Sequence, residues 1–337
     1  ELLHIPDGYL SPATCVATYA IMTPVWIYSA RKVAKEVDER KIPFLALSAA
    51  FSFVIMMFNI PIPGGTTGHA VGGTLIAILL GPYSALLSIS LALLVQALLF
   101  GDGGITAFAA NSLVMGLIMP FTGYSLYNLL ISKNASIKKK VFVSFVSAYF
   151  GINLAAFGVA LLLGIQPIFF VDEKGVPLYS PFPLKITIPA MMGEHLLLFG
   201  LVEGIATALV LNYIFKLEGK PIFDFEPHIS KKLSFLIVAL CILSPIGIIV
   251  PNLFKSGGAW GEWGSDELKE IAGFVPSGLI KFESVWSSPF PDYTFSFIGV
   301  QGLFWESLFY VFCAFIGVAV LSVCFCFWKL LLRKNEA

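Results

Sequence analysis

The sequence predicts an all-α integral membrane protein, a polytopic helix bundle of about nine transmembrane segments with its N-terminus outside. Three observations lead there. Of 337 residues, 57% are hydrophobic and only 12% charged, with a mean hydropathy of +0.86. Soluble domains carry about 45–50% apolar and about 25% charged residues. Apolar stretches recur at lengths near the ~20 residues that a helix needs to cross a bilayer. The Lys and Arg residues then fall in clusters, as they do on the cytoplasmic side of membrane proteins.

The apolar stretches lie near residues 12–30, 42–60, 69–82, 84–101, 105–132, 141–165, 188–216, 233–251 and 303–328. The third is short and meets the fourth at a Gly81-Pro82 turn. It also fits a re-entrant or strongly tilted piece, so eight or ten segments remain alternatives to nine. Basic residues cluster at Arg31, Lys32, Lys35, Arg40 and Lys41, at Lys133 and Lys138 to Lys140, at Lys216, Lys220, Lys231 and Lys232, and at Lys329, Arg333 and Lys334. Nine segments and an outside N-terminus put all four clusters in the cytoplasm. Lys174, Lys185, Lys255, Lys269 and Lys281 then fall outside.

This map divides the chain into a membrane bundle at 1–215, a cytoplasmic linker at 216–232 with Pro221 and Pro227, and a two-helix accessory module at 233–337. The module carries a long extracytoplasmic loop at 252–302, rich in Gly, Trp, Ser and Pro. A formal net charge of zero gives no reason to expect a nucleic-acid partner, and the solvent for most of the chain is the lipid bilayer. The five cysteines (Cys15, Cys241, Cys313, Cys324 and Cys326) sit in apolar stretches without a CxxC spacing and read as small buried hydrophobes. No basic region of a cleavable signal precedes the first polar motif.

On this topology the outside face carries His4-Ile5-Pro6-Asp7-Gly8, the loop from Pro61 to His69, and Gly101-Asp102-Gly103-Gly104. There are four histidines. His4 and His69 lie outside, His195 near the outer end of the seventh stretch, and His228 in the linker. Histidines that converge on one face compose a nitrogen-rich metal site, and imidazole suits zinc, copper and nickel, with tetragonal nitrogen geometry pointing to nickel or copper. Each histidine alone also reads as a hydrogen-bonded surface residue. Pro6-Asp7-Gly8 is a turn signature that folds the N-terminus back over the membrane, and the glycines before His69 permit close backbone approach. Asp102, among glycines, reads either as a turn residue or as a group that orients a ligand from behind.

The run His4-Ile5-Pro6-Asp7-Gly8-Tyr9-Leu10-Ser11-Pro12 resembles the opening of the CbiM/NikM family, the substrate-binding components of energy-coupling factor (ECF) type cobalt and nickel importers. Gly68-His69, the stretch from Val95 to Ala107 with Gly101-Asp102-Gly103-Gly104, Ala110-Asn111, and His195 with Glu203-Gly204 continue the likeness over roughly residues 4–215. Residues 217–337 resemble, more loosely, the small N component that accompanies these proteins, through Ala259-Trp260-Gly261-Glu262-Trp263-Gly264 and Pro291-Asp292-Tyr293. The resemblance implies a nickel or cobalt ion as cargo, no organic cofactor, a prokaryotic cytoplasmic membrane location, and as partners a transmembrane coupling (T) subunit and ATP-binding subunits. It also implies a square-planar site of four nitrogens: a terminal amine, the amide nitrogen and imidazole of the following histidine, and a loop histidine. His4 and His69 match the two histidines. The family opens Met-His whereas this sequence reads Glu1-Leu2-Leu3-His4. The amine ligand therefore requires that the mature chain start at Leu3; otherwise water, a carboxylate or backbone completes the site.

Asp7, Asp102, Asn111 and His195 are the expected support around the ligands or along the ion's way in. Glu203, deep in an apolar stretch, reads as a buried hydrogen-bonding group or as a partner-contact or gating residue. Ala13 and Ala17 form a small-residue face for docking a partner helix. Trp260, Trp263 and Trp286 fit an interfacial aromatic belt. No Gly-x-x-x-x-Gly-Lys-Ser/Thr string, Gly-x-Ser-x-Gly elbow or His-Glu-x-x-His helix is present, so no enzyme is expected and ATP must be handled by partners. The rival reading, a secondary ion-coupled transporter of a small solute, asks for buried charge pairs or inverted repeats, and only Glu203 fits it.

Overall fold

The computed structural model describes residues 3–36, 41–62, 66–132, 134–218, 227–256, 261–295, 298–299 and 302–334. Helix α1 (Pro12–Glu36) starts where the Ser11 hydroxyl accepts from the Thr14 amide at 3.1 Å, with Pro12 at the first helical position, both standard start signals. The apolar α2 (Ile42–Met56) runs into a small antiparallel hairpin of β1 (Ile60–Ile62) and β2 (Thr66–Gly68), in register Ile60↔Gly68 and Ile62↔Thr66. Then come α3 (Gly73–Leu80) and α4 (Pro82–Val95), separated at Gly81. Further on lie α5 (Phe108–Asn111), α6 (Met119–Leu130), α7 (Ile137–Gly164), α8 (Gln166–Phe169), α9 (Leu184–Glu194) and α10 (Gly200–Glu218). The C-terminal part holds α11 (Pro227–Leu243), α12 (Ile246–Leu253), α13 (Ser265–Ala272), α14 (Ser277–Phe282) and α15 (Leu303–Lys334).

Among the described residues, six helical stretches are both long and apolar enough to cross a membrane: Pro82–Phe100, Phe108–Leu130, Ile137–Phe169, Leu184–Lys216, Lys231–Leu253 and Leu303–Trp328. This is fewer than the nine segments expected, and the reasons are local. The eight residues of α3 reach only about 12 Å, and the fifteen of α2 about 22 Å, at about 1.5 Å per residue. α1 is long enough, and its residues 12–30 are uncharged, but Thr14, Thr18, Tyr19, Thr23, Pro24, Tyr28 and Ser29 dilute its apolarity. The short α3 is buried from Gly73 to Ile78 and packs against α4, α6 and α7.

Within 252–302 the described residues include two short helices, α13 and α14. α13 carries Asp266 and Glu267 in its first turn and ends on Gly273 at φ +79°, an acidic start and a left-handed stop that both favour a helix. α11 and α15 pack on α2, and the Tyr310 hydroxyl donates to the Met57 carbonyl at 2.9 Å. One apolar core runs from Leu3, Ile5 and Tyr9 through α2 and α4 to Leu268, Leu279, Tyr293 and Phe325.

Three helices change pitch part-way. Gln96–Phe100, Ser112–Ile118 and His195–Phe199 are π-helical. Such turns are rare and concentrate at functional sites. Each begins at or beside a buried polar residue: Gln96, Asn111 with Ser112, and His195.

Candidate metal centre

The N-terminal segment is folded into the protein. Leu3, Ile5 and Tyr9 are each 1% exposed. Asn111 clamps the backbone of one residue: its Oδ1 accepts from the Ile5 amide at 2.8 Å, and its Nδ2 donates to the Ile5 carbonyl at 3.1 Å. The Gly104 amide donates to the same carbonyl at 2.9 Å. Asp7 accepts from the amides of Ile105 at 3.0 Å and Thr106 at 2.7 Å, and from the Thr106 hydroxyl. A Cβ on Gly104 would lie 2.4 Å from the Asp7 nitrogen, so only glycine lets the two backbones meet. The Tyr9 hydroxyl donates to the Trp263 carbonyl at 2.7 Å, and the C-terminal part thereby covers the segment. Burial, helped by the nearby Glu262 charge, pushes that phenol above its ordinary range.

This anchoring delivers His4 to the interior beside His69, with ring centroids 5.1 Å apart and planes at 38°. Neither sits on the surface: they are 3% and 2% exposed. His69 follows β2 directly, and the residues after it are held from below by Glu203. The Val71 amide donates to Glu203 Oε2 at 2.8 Å, and the Gly72 amide to both carboxyl oxygens at 3.0 and 3.1 Å. The Ser52 hydroxyl donates to the Val71 carbonyl at 2.8 Å. Glu203 is fully buried, and its position just before α3 suits an acceptor at the positive end of a helix.

His69 Nδ1 lies 3.0 Å from the Ala70 carbonyl. A carbonyl only accepts, so Nδ1 carries the proton and Nε2 keeps its lone pair. Nε2 is buried and has no hydrogen-bond partner among the described residues. Burial drives the His69 pKa well below 6.5, with smaller contributions from His4 and His195. The ring is therefore neutral at physiological pH, the form that binds a metal. His4 Nδ1 faces Asp102 Oδ1 at 3.3 Å. Burial lowers the His4 pKa and the Asp102 charge opposes that. Asp102 Oδ2 accepts from Gln96 Nε2 at 3.0 Å and from the Tyr293 hydroxyl.

The other expected site residues divide in two. His195, 1% exposed, donates from Nδ1 to the Met191 carbonyl at 2.8 Å and is near enough to His69 to act on its charge. Ala13 and Ala17 lie away from it on the exposed face of α1, beside Val16 at 68% exposure. One contributor went unassigned by sequence reasoning: Tyr293 stood only within a Pro-Asp-Tyr likeness. Trp286, expected in an aromatic belt, is partly exposed and donates from Nε1 to the Leu98 carbonyl at 3.0 Å. Trp260 is outside the described residues. A polar cavity of about 280 Å³ opens beside Asp102, lined also by Pro6, Asn59, Glu262, Asp292 and Tyr310.

Among the described residues no three His, Cys, Asp or Glu side chains form a ready-made metal cage. The side chains offer two close imidazoles. One ion at metal–nitrogen distances of about 2.0–2.1 Å could be shared by two such rings, with backbone nitrogen or oxygen left to complete its coordination.

The family model of the cobalt uptake substrate-specific transmembrane region (CbiM) matches residues 4–220. The fused nickel transport protein NikMN of Rhodobacter capsulatus is 41% identical, over 95% of this chain and 95% of its own. A Lactiplantibacillus plantarum chain described as a probable fused nickel transport protein, LarMN, is 43% identical over 82% of this chain and 85% of its own. A crystal structure of a truncated transition metal transporter superposes with a TM-score of 0.60 at 51% identity, covering 63% of this chain and 98% of that one.

Proposed function

The chain belongs to the CbiM family of cobalt uptake substrate-specific transmembrane regions, and from that premise we propose that it is the substrate-capturing membrane subunit of an ECF-type importer for divalent nickel or cobalt. The observation that carries this reading is the buried pair of His4 and His69, with His69 Nε2 unpartnered among the described residues. A lone pair held dry and neutral beside a second imidazole is suited to a borderline-soft divalent ion.

The coordination we propose is a nitrogen plane. Both imidazoles contribute, together with the amide nitrogen of His4 and, in a chain that begins at Leu3, the Leu3 amine. The amine and amide close a five-membered ring with the ion, and the amide with its own imidazole closes a six-membered one. That second ring runs through Nδ1, so the ion replaces the proton between His4 and Asp102. In a chain carrying residues ahead of Leu3, water, a carboxylate or backbone takes the fourth position. Glu1 and Leu2 lie outside the described residues.

The topology proposed with this reading is nine membrane segments and an outside N-terminus in a prokaryotic cytoplasmic membrane. The bundle at 1–215 holds the ion, and the module at 233–337 covers it from outside. A coupling subunit docks on α1 along Ala13 and Ala17, and separate ATP-binding subunits drive transport. Asp7 and Asn111 fix the N-terminal segment, His195 flanks the ion, and Glu203 holds the His69 loop, where its release would serve as a gate. The rival secondary-transporter reading loses support, because the Glu203 carboxyl is engaged by the Val71 and Gly72 amides.

The test is calorimetry with Ni²⁺ and Co²⁺ on the purified full chain, its N-terminus verified by mass spectrometry. One ion per chain is expected, with binding lost in His69→Ala. Unchanged binding in that variant sinks the reading.

A further inference from the structure

Resting on that reading of the histidine pair, we propose that Tyr293 is a positioning residue of the metal centre, supplied from the C-terminal part of the chain. Its hydroxyl donates to Asp102 Oδ2, while Asp102 Oδ1 faces His4 Nδ1 at 3.3 Å. Gln96 Nε2 reaches both the phenol oxygen, at 3.2 Å, and Asp102 Oδ2, at 3.0 Å. Two donors on one oxygen fix the rotation of the carboxylate. The carboxylate in turn sets the plane of the His4 ring. In the metal-free protein this holds the ring; once the ion displaces the Nδ1 proton, Asp102 faces the ion itself, and a group that hydrogen-bonds a carboxylate beside a metal fixes its orientation.

The phenol itself is tightly socketed. Tyr293 is 4% exposed. Its ring stacks on Phe100 at 4.7 Å and 15° and meets Tyr310 edge-on at 5.2 Å. Phe100 closes the π-helical turn that Gln96 opens, so stacking and hydrogen bonding grip the same turn. The backbone is also specialised: Asp292 and Tyr293 both have positive φ, 51° and 58°. For a bulky residue that is an outlier, and such conformations persist only where the surroundings over-determine them. Here the strain aims one hydroxyl at one carboxylate.

The proposal is tested on the full chain with Tyr293→Phe, which keeps the ring stack and removes only the hydroxyl. Ni²⁺ affinity is read by calorimetry, coordination by the visible absorption of bound Ni²⁺, and folding by thermal melting of the metal-free protein. The expected result is an affinity loss of about 10–100-fold, the usual effect of removing such a support, with a shifted absorption band and a near-native melting temperature. In a cycle with Asp102→Asn the two losses should not add, because both changes break one relay. Wild-type affinity and spectrum in Tyr293→Phe, or full additivity with Asp102→Asn, overturns the proposal. His69→Ala run alongside separates the layers: if it abolishes binding while Tyr293→Phe changes nothing, only the positioning role fails; if it changes nothing, the metal reading fails beneath it. Should Tyr293→Phe not fold, Gln96→Leu interrogates the same oxygen by the same readouts.

Discussion

Replacing Glu203 with Ala isolates how much of the His69 geometry is imposed from below. The carboxyl accepts three hydrogen bonds from the buried amides of Val71 and Gly72. Alanine leaves both donors without that acceptor, at about 1–3 kcal/mol for each stranded buried group. Global stability should fall by roughly 2–6 kcal/mol, the sum of those two costs. Ion affinity responds to a smaller quantity, the fraction of molecules in which the loop stays docked, since apparent affinity scales with the competent population. If the loss leaves the open loop favoured by about 1–3 kcal/mol, affinity drops about 5–150-fold. Glu203→Gln keeps an acceptor oxygen for the same amides and should retain most of the affinity. The assay is Ni²⁺ calorimetry in detergent beside thermal melting of each variant. Ni²⁺ affinity in Glu203→Ala equal to wild type would refute the view that this carboxyl positions His69.

Two further outcomes follow from burial and packing. His4 and His69 both have pKa values lowered by burial from 6.5, so the unfolded chain binds more protons than the folded one just below that value; their stabilising contribution is present above pH 6.5 and lost as pH falls, by up to about 1.4 kcal/mol per pH unit for each ring. Melting of the metal-free protein should show that decline, and His69→Ala should flatten part of it; an identical slope in the variant counts against a neutral buried His69. On α12, a Cβ at Gly247 would fall 1.9 Å from the Met57 carbonyl oxygen, so Gly247→Ala should cost about 1–3 kcal/mol of stability by overpacking, and an unchanged melting temperature would mean that α12 yields freely.

Much of the architecture is legible in the amino-acid sequence. The stretches at 84–101, 141–165 and 303–328 coincide with helices because length and apolarity alone define a membrane helix. The π-helical turns were not legible, since one extra residue in a turn leaves no mark on a uniformly apolar run such as Leu196–Phe199. The β1–β2 hairpin escaped because Ile60–Ile62 and Thr66–Gly68 are three residues each, too short to show alternation. At the site, Pro6-Asp7-Gly8 announces a fold-back, and Asp7 meeting Ile105 and Thr106 is its realisation; close backbone approach is expected of the glycines before His69, whereas Gly104 is the one that meets Asp7. What no local pattern can encode is partnership across the chain. Glu203 reads either as a buried hydrogen-bonding group or as a gating or docking one, and nothing near it in sequence names Val71 and Gly72 as the amides it accepts from. Likewise His4 and His69 read as outer-surface residues, whereas they are 3% and 2% exposed, because two separate segments of the chain close on each other there.

The hydroxyl that steadies Asp102 lies 191 residues downstream of it. A ribosome adding about 5–20 residues per second needs about 10–40 s to cover that interval. Throughout it, the carboxylate and both imidazoles have been synthesised while the phenol that holds the carboxylate has not. Completion of the pocket is thus among the last events of biogenesis. Because the phenol arrives on the same polypeptide, each bundle receives one copy, without a search by diffusion and without competition from a neighbouring bundle. Covalent continuity here acts as a guarantee of stoichiometry.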